Sequence, residues 1–322
     1  MPSVHLSNAL AQDLLGQAIL APSSHNTQPW RFRLSASAID LLADRRRALP
    51  VNDPDDRELT ISCGCALMNL RIAAARRELG THTTLLPEAA DPRWLARVAL
   101  VPGADVPADQ AVLAEAIPRR HSCRHPFEPR AIPETDIPRL VAAAAAEGAW
   151  LRPLTEAGAR AQLVSLIAEG DTAQWADARW RRELAAWMHP RRLGDGLSVP
   201  TLAVPLTRLL VRAFNLGEGV AARNGTLAES APLLAVLGTD EDNPRHWLLA
   251  GQALQRMLLV ACRQGLQAAY LNQPIQVARL RPCLRPLTGG GHAQLLLCLG
   301  YPHTPPAASP RRPLIEVMEK PA

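Results

Sequence analysis

The chain has 322 residues, a net charge of +5, 48% hydrophobic and 20% charged residues, ordinary values for a globular protein with one large core or two joined domains. No uninterrupted apolar run reaches bilayer-spanning length, and Met1–Ser7 lacks a basic region followed by an apolar core, so no membrane partner is expected and the location is read as cytoplasmic. Arg makes up nearly all the positive charge, Lys320 being the only Lys, and aromatic residues reach just 4%, too few stacking platforms for a nucleic-acid partner. Cys63 and Cys65 form C-G-C, no C-x-x-C spacing occurs, and no metal site is expected.

An apolar helix pattern runs from Leu10 to Leu20, and Pro22 should stop it. Ser23, Ser24, His25, Asn26, Thr27 and Gln28 follow, where a turn needs one or two such residues. Their paired donors and acceptors suit the edge of a flat heteroaromatic ligand. His25 is read mainly as a structural hydrogen-bonding residue of that loop. Strands are expected near Arg31–Leu34 and Ile39–Leu42. A long helix is then expected over Ile61–Leu79, and strands over Thr83–Leu86 and Leu95–Val101.

Helices are predicted over Gln110–Ile117, Glu134–Glu147, Glu156–Glu169 and Ala173–Met188, with a strand over Trp150–Leu154. Pro190–Asn224 breaks the pattern: glycines at 194, 196, 217 and 219 flank an apolar, basic stretch. That profile fits a mobile flap or an ordinary long connection carrying a helix. Beyond it lie strands Leu233–Leu237, Ala268–Leu271 and Gln294–Leu299. Leu248–Leu266 aligns without gaps on Ile61–Leu79, with Gly251 on Gly64, Ala253 on Ala66, Arg263 on Arg76 and Leu266 on Leu79. Two copies of one module, packed face to face, would produce such a repeat, as would chance between Ala-rich helices.

Positive charge gathers in Arg119-Arg120-His121-Ser122-Cys123-Arg124 and again at Arg311-Arg312. Guanidinium groups bind phosphate bidentately and a hydroxyl completes the shell, so an anion between the two clusters is expected. No G-x-S-x-G elbow or Walker A motif occurs.

The string Ala21–Phe32, A-P-S-S-H-N-T-Q-P-W-R-F, resembles the flavin-binding signature of the nitroreductase family. R-R-H-S-C-R at 119–124 resembles its phosphate-gripping string, and Gly265–Pro274 its segment at the flavin N5 edge. The order of the strings, with Ala43–Pro50, Asp53-Pro54, Arg57–Leu59 and Ile61–Gly64, is similar to the single-chain Acg-type subfamily. That resemblance implies an α+β nitroreductase-like fold of two related modules, each with a mixed or antiparallel sheet and surrounding helices: residues 1–117 and 118–322, with a lid-like insert at about 190–224. It implies one FMN per chain, its ring lined by Pro22, Ser23, Ser24, Asn26 and Gln28. Arg120, His121, Ser122, Arg124, Arg311 and Arg312 would hold the phosphate, and Asn272 and Gln273 the N5 edge. The implied activity is hydride transfer from NAD(P)H through FMN to a nitroaromatic- or quinone-like small molecule, with no protein residue named as catalytic. The alternative is a protein that stores or sequesters FMN beneath its lid. A homodimer of fused chains is also compatible with the family.

Overall fold

Two twenty-residue helices, Arg57–Arg76 and Pro244–Arg263, form the centre of the molecule. The computed structural model describes residues 4–103 and 108–319. In the first of these helices every residue but Arg71 and Arg76 is buried, the mark of a helix enclosed on all sides. The two cross where neither carries a side chain. A Cβ on Gly64 would lie 2.5 Å from Leu248 O and 2.9 Å from Gly251 Cα, and one on Gly251 would meet Ile61 O and lie 2.8 Å from Gly64 Cα. The repeat aligned Gly64 on Gly251, and they meet each other at the crossing.

Strands β1 (Trp30–Leu34), β2 (Ala38–Ala43), β3 (Leu79–Leu85) and β4 (Trp94–Pro102) form one antiparallel sheet in the order β1-β2-β4-β3. Strands β5 (Trp150–Leu154), β8 (Leu233–Thr239), β9 (Gln267–Tyr270) and β10 (His292–Gly300) form a second, in the order β5-β8-β10-β9. Between them in sequence, β6 (Met188–Pro190) and β7 (Leu197–Val199) make a small parallel pair. One apolar cluster joins both halves, taking in Leu14, Trp30 and Leu67 with Leu254, Leu258 and Leu297. The architecture is the expected α+β class.

The first two strands of the first sheet are joined by a tight turn, whereas β5 and β8 are separated by residues 155–232. This excursion carries helices Ala157–Ala176, Ala178–Ala186, Val204–Ala213 and Gly217–Ser230, and so is wider than the 190–224 break in the sequence pattern. The expected break after Glu169 is absent. The helix continues to Ala176 and stops at Asp177, whose carboxylate accepts from Arg179 N at 2.7 Å and starts the next. Gly217 and Gly219 open a helix rather than closing a hinge. Gln110–Ile117 is also not one helix: a short helix, Ala108–Ala111, gives way to a tighter 3-10 turn over Val112–Ala116. The C-terminal chain returns to the first sheet, where Glu319 N donates to Phe32 O at 2.8 Å. This return carries residues 309–312 to the loop at 22–28.

Candidate functional site

A cavity of about 480 Å³ lies where that loop, the start of the Arg57–Arg76 helix, the 120–124 string and the segment after β9 converge. The 155–232 excursion roofs it with Trp175, Trp180, Leu184 and Met188. The loop is folded tightly: His25, Asn26 and Gln28 have φ of 49°, 54° and 51°, a region non-glycine residues adopt only when their surroundings enforce it. The enforcing bonds are visible. Ser23 Oγ accepts from Gln28 N at 3.0 Å, Thr27 O accepts from Arg47, and Ser24 Oγ donates to Glu58 Oε2 at 2.6 Å. Burial pushes the His25 imidazole below its ordinary value, with nearby Glu58 opposing and Arg124 assisting.

The 120–124 string is positioned by the edge of β9. Ser122 bridges Ala268 in parallel, and Cys123 N donates to Ala268 O at 2.8 Å. This aims Arg120, His121, Ser122 and Arg124 at the cavity. Arg120 is 4% exposed; its Nη2 donates to Leu20 O at 3.1 Å, and its Nε is buried without a partner among the described residues. Beside it, Arg311 donates to the carbonyls of Ile19, Leu20, Ala21, Ser309 and Pro310 and to Asn26 Oδ1. Burial, with the Arg120 charge adding to it, pushes Arg311 down to about 9. Among the described residues neither guanidinium has a carboxylate partner.

Eleven of the thirteen residues named from sequence line this cavity: Pro22, Ser23, Ser24, Asn26, Arg120, His121, Ser122, Arg124, Asn272, Gln273 and Arg311. Gln28 and Arg312 lie outside its walls. Gln28 Nε2 donates to Gly194 O at 2.8 Å and its Oε1 accepts from Arg312 N at 3.0 Å, while Arg312 reaches Gln28 O and Glu316. Both fasten the roof and the C-terminal chain to the loop. Their side-chain hydrogen bonds are occupied because the chain returns from far away, which no local pattern reveals. Asn272 Oδ1 accepts from Leu296 N at 2.9 Å. Gln273 Nε2 donates to Asp171 Oδ1 at 3.1 Å, leaving its buried Oε1 unpartnered among the described residues.

The roof has its own fastening. Asp195, between Gly194 and Gly196, accepts from Arg47 and lies 2.7 Å from His189 Nδ1, while Gly196 N donates to Asn26 O at 3.2 Å. Helix Ala157–Ala176 packs against the segment after β9 at Gly170, where a Cβ would fall 2.7 Å from Gln273 Cβ. Sequence reading missed the wall residues Glu58, Asp171, Arg223 and Asn224, which stand on helical turns lying outside the expected helices, Arg223 and Asn224 within the 190–224 break itself. Glu58 accepts from Ser24, Gln276 and Arg57. Asp171, 1% exposed, accepts from Asn224 Nδ2 at 2.9 Å, and burial raises it above its ordinary value.

Below the cavity, Asp53 accepts from Glu58 N and Leu59 N at 3.0 and 2.9 Å, capping the central helix. Burial and the neighbouring Glu58 charge nonetheless raise it to about 6. A carboxyl raised on folding binds its proton more tightly in the native state, so this group adds stability as pH falls from above 6 toward its ordinary value near 4. Acidifying from about pH 7 to about pH 5 should yield roughly 1 kcal/mol from Asp53. In urea titrations at both pH values, that increment should vanish in Asp53→Asn; an equal increment in both proteins would refute the assignment.

No family model matches the chain. It is 32% identical over 318 residues, 96% of its own length and 90% of the relative's, to the Mycobacterium tuberculosis protein named "Putative NAD(P)H nitroreductase Rv3131". It is 26% identical over 327 residues, 98% of this chain and 97% of the relative, to the one from the same organism named with acg. Among solved structures, a nitroreductase-like family protein from Bacillus cereus matches 65% of this chain and 95% of its own at 19% identity and a TM-score of 0.39. A nitroreductase with bound FMN from Bacteroides fragilis matches 59% and 88% at 15% identity and a TM-score of 0.38. A four-stranded antiparallel pair of sheets around two crossed helices, with a cation-walled cavity between them, is the class this molecule presents. The chain belongs to the nitroreductase family.

Proposed function

We propose that this cavity binds FMN and that the protein transfers hydride from NAD(P)H to a small electron-poor acceptor, a nitroaromatic or a quinone. The carrying observation is buried Arg120 beside half-buried Arg311, neither with a carboxylate partner among the described residues and Arg120 Nε unsatisfied. Buried cations need a counter-charge, and a phosphate monoester beside Ser122 and His121 supplies one. Arg311, its donors already spent on carbonyls, contributes charge; Arg120 and Ser122 have groups left to bond. Ser23, Ser24, Asn272 and Gln273 offer amide and hydroxyl groups for the edge of a flat ring. FMN, when bound, supplies the two-electron chemistry. The chain would bind and orient it beneath the roof of Trp175, Trp180 and Met188.

The same roof favours a second reading, retention of FMN without turnover. The Gln28–Gly194 and Arg47–Asp195 contacts hold it down. Purified protein should show flavin absorbance, bleached anaerobically by NADH or NADPH; a protein that takes up no added FMN overturns both readings. Asp195→Ala should speed bleaching by about tenfold if the latch limits entry. FMN retained but unbleached in wild type and variant alike would leave the sequestering protein.

The two-module organisation at 1–117 and 118–322, from an internal duplication, belongs to the same proposal. The two sheets share a strand order, and a second cavity of about 390 Å³ supports it. Shifting by the 187 positions between Gly64 and Gly251 carries Glu58, Ser62, Cys65, Tyr270 and Asn272 of the large cavity onto Arg245, Leu249, Gln252, Thr83 and Leu85 of the small one. On this reading the small cavity is the counterpart of the large one, lined by different chemistry.

A further inference from the structure

Residues 178–216 contain seven Arg against Glu183 and Asp195, an excess equal to the whole chain's net charge of +5, so positive and negative residues balance elsewhere. The same segment holds seven of the nine large apolar side chains exposed among the described residues. Leu202 is 97% exposed, Leu209 61%, Leu206 60% and Phe214 56%, with Leu193, Leu210 and Leu216 beside them. Monomeric surfaces rarely gather apolar groups this way without a partner. The helix Val204–Ala213 is seated: Val211 packs with Trp175 and Ala185, and Arg208 Nε donates to Met188 O at 2.9 Å. Its outer face therefore has a defined direction, with Leu206, Leu209 and Leu210 one above another, and Arg191, Arg192 and Arg212 are exposed in the same segment.

We propose that this face docks on the surface of an anionic lipid bilayer. Apolar side chains entering the headgroup boundary, with arginines toward acidic headgroups, are the requirements for interfacial adsorption. This is lying on a membrane rather than spanning one, and no helix among the described residues is long and apolar enough to cross. Charge decides between occupants. A second copy of the same face would bring arginines against arginines, while an acidic lipid surface neutralises them. A nucleic acid would satisfy the arginines but leave Leu202, Leu206 and Leu209 in water. The opposite side of this segment roofs the cavity through Met188 and Leu197, so adsorption would act on the element that covers the site.

Vesicle flotation of the full-length protein tests this, with phosphatidylcholine alone against phosphatidylcholine containing about 30 mol% phosphatidylglycerol. The bound fraction should be at least about tenfold higher on the anionic vesicles. It should fall as salt rises from about 0.1 M to about 1 M, where the Debye length shrinks from about 10 Å to about 3 Å. Leu206→Ser, Leu209→Ser and Phe214→Ser combined should abolish flotation with the melting temperature unchanged, because all three side chains are exposed. Arg191→Gln, Arg192→Gln and Arg212→Gln combined should remove the preference for anionic vesicles. Failure to float with anionic vesicles overturns the proposal, as does flotation that survives the apolar triple variant. A wild-type dimer that becomes monomeric in that variant, with no vesicle binding, would instead assign the face to a second copy.

Discussion

Gly251→Ala should destabilise the chain by about 3 kcal/mol or more, and Gly64→Ala by nearly as much. Each added Cβ meets backbone, which cannot rotate away: Ile61 O and Gly64 Cα on one side, Leu248 O and Gly251 Cα on the other. Relief requires the two central helices to separate, and they anchor the core shared by both sheets. A close-packed interior transmits such a displacement instead of absorbing it. Gly219→Ala is the control. Nothing lies within 4 Å of its added Cβ and the residue is helical, so that change should stabilise by about 0.5–1 kcal/mol. Urea unfolding of the three variants measures all of this. Gly251→Ala as stable as wild type would mean the helices can slide apart cheaply.

That crossing also explains what could be read from the chain beforehand. Gly64 and Gly251 fell opposite one another in the gapless alignment of the two helices, along with Ala66 on Ala253 and Arg76 on Arg263. Contact between backbones permits only glycine, so local sequence retained the imprint of a long-range contact. The strands were legible for a similar reason: β5 and β8 to β10 are short runs bounded by turn residues, and their apolar content is local information. The excursion was legible only in part. Asp177 ends a helix by capping the next, which periodicity between Glu156 and Met188 does not reveal. Glu58 and Asp171 were not legible as site residues: Glu58 precedes the expected Ile61–Leu79 helix and Asp171 falls in the expected break between Glu169 and Ala173, places where an acidic residue normally faces solvent. Here both are buried, and their partners, Ser24 and Gln276 for one, Asn224 and Gln273 for the other, come from distant elements. Gln28 looked like its neighbours Ser24 and Asn26. Only the return of Arg312 and Gly194 to the same place gives it a fastening role.

On the proposed role of Arg120 in holding the flavin phosphate, Arg120→Gln should shift flavin affinity and apo-protein stability in opposite directions. In the flavin-free protein the charge of buried Arg120 acts on neighbouring, half-buried Arg311. Arg311 lies near 9, below its ordinary value, so below about pH 9 its charged form subtracts stability from the fold. Removing the Arg120 charge relieves that strain. The change strands no carbonyl, because Leu20 O also accepts from Arg311 Nη2 at 3.0 Å. The apo protein should therefore gain about 1 kcal/mol. FMN, by contrast, would lose a charge-assisted bond to its phosphate, a loss of about 2–4 kcal/mol or roughly 30- to 1,000-fold in affinity. Calorimetric titration with FMN and thermal melting of the flavin-free protein give the two numbers independently. Weaker binding accompanied by an equal loss of apo stability would identify Arg120 as a fold residue. Unchanged affinity would place the phosphate elsewhere. Only the opposed pair of shifts fits a cation kept at the expense of the empty protein for the anion it holds.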